Sequence, residues 1–174
     1  MKKDIIIAIS GKSGCGNTTV SRMVAERLGL RLINYTFHSM ADEKNMDFNE
    51  LYRLAQKDLS FDRHLDERQV ELASAGNCVL GSRLAIWLLE NADLKVYLYA
   101  PLEIRASRIQ QREGGTFEDV LNEIAERDRQ DKERFLKLYG IDNDNYEFVD
   151  MILDVGELDQ FQAVERIIRE AEKL

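Results

Sequence analysis

The chain has 174 residues, 44% of them hydrophobic, a length that supplies one well-buried core and argues against two independent domains. A formal net charge of -8 excludes a general binder of nucleic-acid polymers, which needs a basic footprint, and leaves small anions as ligands for local clusters of arginine. No run of about 18 apolar residues is present to span a bilayer, the start MKKDIIIAIS is interrupted too early for a secretory signal, and two isolated cysteines, Cys15 and Cys78, offer neither a disulfide framework nor zinc-ligand spacing, so a cytoplasmic location is expected.

In chain order, Ile5 to Ile9 form a continuous apolar run, the pattern of a strand covered on both faces of a parallel sheet. The loop GKSGCGNTTV follows at once, and Val20, Met23, Val24 and Leu28 then fall at helical spacing up to a stop at Gly29. Leu30 to Asn34 read as a second strand, Phe37 to Gln56 as a polar helical region, and Asp62 to Ala75 as a helix closed by Gly76. Asn77 to Leu80 read as a third strand ending at Gly81-Ser82-Arg83, with Leu84 to Leu89 packing inward around Trp87. Leu94 to Ala100 give a fourth strand, broken by Pro101, which suits the first turn of a helix. Gly114-Gly115 mark a joint before a long helix over about Thr116 to Leu138. Met151 to Val155 are the fifth strand, and Phe161, Val164, Ile167, Ile168 and Ala171 give the last helix an apolar stripe. Strands alternating with helices predict an α/β fold of three layers, a five-stranded parallel sheet with helices on both faces joined by right-handed crossovers.

Ligands of such sheets bind beyond the carboxyl ends of the strands. The loop from Gly11 through Lys12, Ser13, Gly14, Cys15 and Gly16 to Asn17, Thr18 and Thr19 sits at such an end and has P-loop glycine spacing, so its amides and the helix N-terminus can cradle phosphates. Thr18 occupies the hydroxyl position that ligates magnesium. Asn17 stands where a P-loop has its lysine, so the charge must come from elsewhere. Lys12 is one source; arginines are better ones, because guanidinium is permanently charged and forks onto phosphate. Arg105, Arg108 and Arg112 share a helical face, as do Arg127, Asp131 and Arg134 beyond the double glycine, which together describe a hinged lid. Arg63, Asp66 and Gln69 fall on one side of their helix, and Arg83 ends the third strand at the same edge as the loop, so these can hold a monophosphate and a base edge. His38 and His64 have no partnering nucleophile and are assigned no catalytic role.

A series of segments carries a wider resemblance: the glycine loop with two threonines, AERLGL, FDRHLDERQVELA, GNCVLGSRLAIWLL, ADLKVYLYAPLEIRASRIQQREG and ERDRQDKERFLKLYGID. In this order they resemble the short-type cytidylate kinases of the nucleoside monophosphate kinase fold, members of which also lack the loop lysine. The resemblance implies a single domain over 1-174, an acceptor-binding helical region at about 36-75 and a lid at about 111-117. It implies that Gly11 to Thr19 bind ATP with Thr18 reaching magnesium, and that Arg63 and Arg83 hold the acceptor. It further implies that Arg127, Asp131 and Arg134 match the R-x-x-x-D-x-x-R series bridging donor and acceptor phosphates, with Arg112 in the lid. One departure is the run FHSMA, where the family has F-R-x-M-A, which places His38 at an arginine position. The expected activity is ATP-dependent phosphorylation of CMP and dCMP. A nucleotide-binding sensor or degenerate kinase, and a kinase for another small acceptor, stay open as alternatives.

Overall fold

The computed structural model describes Met1–Leu174, with thirteen elements in the order β1 (Ile6–Gly11), α1 (Asn17–Leu28), β2 (Arg31–Ile33), α2 (Phe37–Glu43), α3 (Phe48–Ala55), α4 (Ser60–Ala73), β3 (Cys78–Gly81), α5 (Ala85–Leu88), β4 (Leu94–Tyr99), α6 (Leu102–Glu113), α7 (Phe117–Tyr139), β5 (Met151–Asp154) and α8 (Gln160–Ala171). The five strands form one parallel sheet in the order β2-β3-β1-β4-β5, each lying where an apolar run predicts it. No helix is long and apolar enough to cross a membrane.

β1 is central because both of its faces are apolar. Ile5, Ile7 and Ile9 enter the layer shared with Val24, Val164 and Ile167 of α1 and α8, while Ile6 and Ala8 enter the opposite layer with Leu80, Ile86 and Tyr97. Period-two alternation thus feeds two cores, which is why the run reads as unbroken. Each fully buried isoleucine contributes about 2 kcal/mol of burial free energy. From β1 the chain moves to one side of the sheet through β2 and β3, then crosses to the other through β4 and β5. The loop after β1 therefore opens at the switch point between β3 and β4, the crevice where such sheets bind ligands.

Two satellite cores extend the edge above that crevice. Tyr35, Met40, Ala41 and Leu51 pack with Phe37, Phe61 and Leu65 to carry α2, α3 and α4. Ala106, Ile109, Val120 and Ile124 zip α6 onto α7 as a helical hairpin. The helical region from Phe37 to Gln56 consists of two helices, α2 and α3. Asn45 takes a left-handed φ of 49°, and the Asp47 carboxylate caps α3 by accepting from the amides of Asn49 and Glu50 at 3.0 and 3.1 Å. Phe161 leaves the apolar stripe assigned to it; it is 61% exposed, while Val164, Ile167, Ile168 and Ala171 are buried. In the first turn of α8, Phe161 lines a hollow beside the loop after β1 instead of entering the core.

Candidate functional site

The loop after β1 is built to present amides. Gly14 has φ 87°, and a Cβ there would come within 2.9 Å of the Arg105 Cβ, so only glycine suits the conformation and the close approach of α6. Gly16 caps α1 with φ 88° and no side-chain hydrogen bond, and the amides of Gly14, Gly16, Asn17 and Thr18 have no backbone acceptor. Unsatisfied N–H groups at a helix N-terminus form an anion site. Asn17 does not face that anion as a cation would: its Nδ2 donates to the Gly11 carbonyl at 2.5 Å, closing the loop on itself, and its Oδ1 is buried without a partner. Lys12 is engaged as well, its Nζ 2.6 Å from Asp144, whose carboxyl is held below the usual range by Lys12 and Lys132.

Above the loop lies a cleft of about 580 Å³, whose wall includes Lys12, Ser13, Gly14, Gly16, Asn17, Thr18 and Thr19. Six basic side chains line it, Lys12, Arg83, Arg108, Arg112, Arg127 and Arg134, against two acidic ones, Asp62 and Asp66. In a chain of net charge -8 this local excess of cations selects an anionic ligand.

The arginines are held by a few buried acids. Asp131, 6% exposed, accepts from Arg83 through Oδ2 and from Arg134 through Oδ1 at 2.8 Å. It therefore positions two guanidinium groups from different elements. Arg134 also lies 3.8 Å from Asp62, and its Nε is buried without a partner. Arg127, one turn before Asp131, is exposed on the same wall and forms no hydrogen bond or ion pair within the protein.

Arg105 departs from the basic face assigned to α6. It is 4% exposed, forks onto Asp128 of α7 at 3.2 and 2.7 Å, and donates to the carbonyls of Ser13 and Ala100, both at 3.2 Å. Its charge is spent on tying the loop to the α6–α7 hairpin. Arg108 reaches the Val155 carbonyl, and Arg112 pairs only with its neighbour Glu113 at the cleft rim.

Four other residues singled out in the sequence lie off the cleft wall. Arg63 turns to the Leu138 carbonyl at 3.3 Å and stacks 5.8 Å over Tyr139, because α7 passes close to that side of α4. Gly11 ends β1 beneath the loop, and the Cys15 side chain enters the core, where burial pushes its thiol up. His38 stacks on Phe48 at 3.7 Å, outside the cleft. Sequence reasoning missed Asp62, Asp128 and Asp144, although Asp62 is signalled by its four-residue spacing from Asp66.

The α4 wall has the opposite character. Asp62, Leu65, Asp66 and Gln69 face the cleft at helical spacing, opposite Tyr35, Thr36 and Phe37. Burial raises the Asp66 carboxyl to about 6, against the lowering effect of a 2.7 Å hydrogen bond from Tyr139, and burial raises Asp62 too. A second hollow of about 420 Å³ opens on the far side of the loop, between Gly16, Thr19 and Arg108 and the Val155 to Phe161 turn.

The chain matches known proteins over most of its length. Residues 6–157 match the model of the cytidylate kinase-like family. The chain is 49% identical over 171 residues to cytidylate kinase 2 of Borreliella afzelii, covering 96% of both chains. It is 42% identical over 159 residues to the cytidylate kinase of Pyrococcus horikoshii, covering 90% of this chain and 83% of that one. The shikimate kinase of Bacteroides thetaiotaomicron superposes with a TM-score of 0.64 at 18% identity, over 98% of this chain and 99% of that one, a likeness of fold alone. With the family model spanning most of its length and these relatives covering nearly all of it, the chain belongs to the cytidylate kinase-like family.

Proposed function

We propose that this protein transfers the γ-phosphate of ATP to CMP and dCMP. The observation that carries this reading is the single cleft that joins unsatisfied loop amides to a cationic wall of arginines from the segment after β3, from α6 and from α7, in a chain whose relatives are cytidylate kinases. The loop cradles the donor β- and γ-phosphates, and the donor base occupies the hollow between Arg108 and Phe161. The acceptor lies along the α4 wall with its phosphate toward Arg83 and Arg134. An acceptor phosphate oxygen attacks the γ-phosphorus in line as the bond to the ADP oxygen breaks, and no covalent enzyme intermediate forms.

Chemistry of this kind asks the protein for positioning and charge. Arg134, held by Asp131, and the unengaged Arg127 supply the charge that Asn17 does not, and the joint at Gly114-Gly115 lets the rim with Arg112 close over the phosphates and exclude water. Thr18 is the residue that would hold magnesium. Its hydroxyl is a hard oxygen ligand exposed on the cleft wall, and no group of three acidic, histidine or cysteine side chains stands ready to cage an ion, which suits one bound mainly by phosphates and water. Bound there, the ion would screen charge on the transferring phosphate.

The test is ADP release from ATP with magnesium across CMP, dCMP, UMP, AMP and GMP. The reading requires release stimulated most by CMP and dCMP. Nucleotide binding without stimulated release by any monophosphate would replace the kinase with a sensor.

A further inference from the structure

We infer that Gln69 and Asp66 together read the acceptor base, taking hydrogen bonds from the exocyclic amine of a 4-aminopyrimidine; this rests on the proposed phosphorylation of CMP.

Gln69 is 8% exposed yet stands on the cleft wall. Its Nε2 donates to the Tyr35 carbonyl at 2.9 Å, which fixes the orientation of the amide, and its Oε1 is left buried with no partner. A buried acceptor without a donor is unfavourable, and a ligand bearing an N–H at this point relieves it. Asp66 lies three residues earlier on the same face of α4. Its Oδ2 accepts from the Tyr139 hydroxyl at 2.7 Å, which leaves Oδ1 for the cleft. The charged groups acting on it are Asp62 from α4, Arg83 beyond β3 and Arg134 from α7, and of the two cleft carboxylates Asp66 is the one a single turn from Gln69.

The Tyr139 O–H is spent on Asp66 and one Gln69 N–H on Tyr35, which leaves the Gln69 Oε1 and the Asp66 Oδ1 as acceptors beside the apolar lining of Tyr35, Phe37 and Leu65 that suits a flat ring. An exocyclic amine offers two N–H groups and fits this pair. A 4-oxo pyrimidine would set its own lone pairs against both oxygens and lose two bonds at once. Base selection then resides in α4, apart from the machinery that moves the phosphate.

The experiment compares kcat/KM for CMP, UMP and the ribonucleotide of pyrimidin-2-one, which lacks the amine, in the wild type, Gln69→Met and Asp66→Asn. The wild type should prefer CMP over the amine-less nucleotide by about a hundredfold, two hydrogen bonds at roughly tenfold each. Gln69→Met should lose about tenfold on CMP and nothing on the amine-less nucleotide, with ATP affinity unchanged. Asp66→Asn should lower the ratio of CMP to UMP at least tenfold. Equal use of CMP and the amine-less nucleotide by the wild type overturns the inference without any variant having to fold, as does a Gln69→Met loss that is the same for both. Either result leaves CMP phosphorylation standing, whereas failure of the wild type to phosphorylate any monophosphate removes both readings.

Discussion

The two long walls of the cleft treat their charge in opposite ways. On the α7 side nearly every ion is paired before a ligand arrives: Asp131 joins Arg83 to Arg134, and Arg105 joins Asp128 to the loop. On the α4 side polar groups are buried and under-satisfied, with Asp66 pushed up to about 6 and the Gln69 oxygen unpartnered. The first wall is preorganised, as electrostatic stabilisation of a moving phosphate demands, since donors already in place need no rearrangement during the reaction. The second stores an unfavourable state that only the right ligand relieves, which is how a site comes to reject the wrong one.

Breaking the paired wall should have the largest effect. Arg105→Ala removes the partner of Asp128 and the donor to Ser13, and should destabilise the fold by about 3–5 kcal/mol, the scale of breaking a buried pair; urea denaturation checks this, and a loss below 1 kcal/mol would mean that the loop and hairpin are not tied there. Arg127→Ala should leave stability alone, because its guanidinium makes no contact within the protein. In that variant, and in Arg134→Ala, turnover should fall on the order of 10²–10³-fold with much smaller changes in KM. Matching losses in affinity and turnover would remove their transition-state role.

The α4 wall should answer with the reverse sign. Folded Asp66 gives up its proton near pH 6, and the ordinary carboxyl of an unfolded chain does so near 3.8. Between those values the folded state binds more protons, so stability falls as pH rises through the window. Asp66→Asn should therefore be more stable than the wild type at pH 7.5, by about 2–3 kcal/mol, with the gain fading toward pH 4. Thermal melts across that range decide it, and a variant less stable at pH 7.5 would mean that the carboxylate is satisfied after all. The smallest effect belongs to Asn17→Lys, which should change kcat by less than about threefold if the arginines already meet the charge. A tenfold gain would show the loop to be short of a cation.

Much of the fold was legible because each strand is a short apolar run bounded by glycine or polar residues, and both Gly29 and the Gly114-Gly115 pair stand at helix ends, with Gly29 capping α1 in the left-handed conformation. The break between α2 and α3 was not, since residues 44 to 47 contain no proline or glycine and the turn depends on Asn45 taking a positive φ. In the site, the grouping of Arg83, Arg127 and Arg134 with the loop follows from strand ends and helical spacing, and they do line one cleft with Gly14. The fates of Arg63 and Arg105 were hidden. Both sit at plausible spacings, but each found a nearer acceptor on a neighbouring helix.

Sequence alone determined the α/β alternation, the position of the glycine loop and which side chains share a helical face, because backbone periodicity is local and a few residues suffice to express it. Tertiary structure alone decided which arginines are free for a ligand, that Asn17 closes on Gly11, and that the Gln69 oxygen is buried without a donor beside a largely buried Asp66. Long polar side chains settle on whatever partner lies within hydrogen-bond reach, and their burial depends on elements far away in the chain, so neither property is written in spacing.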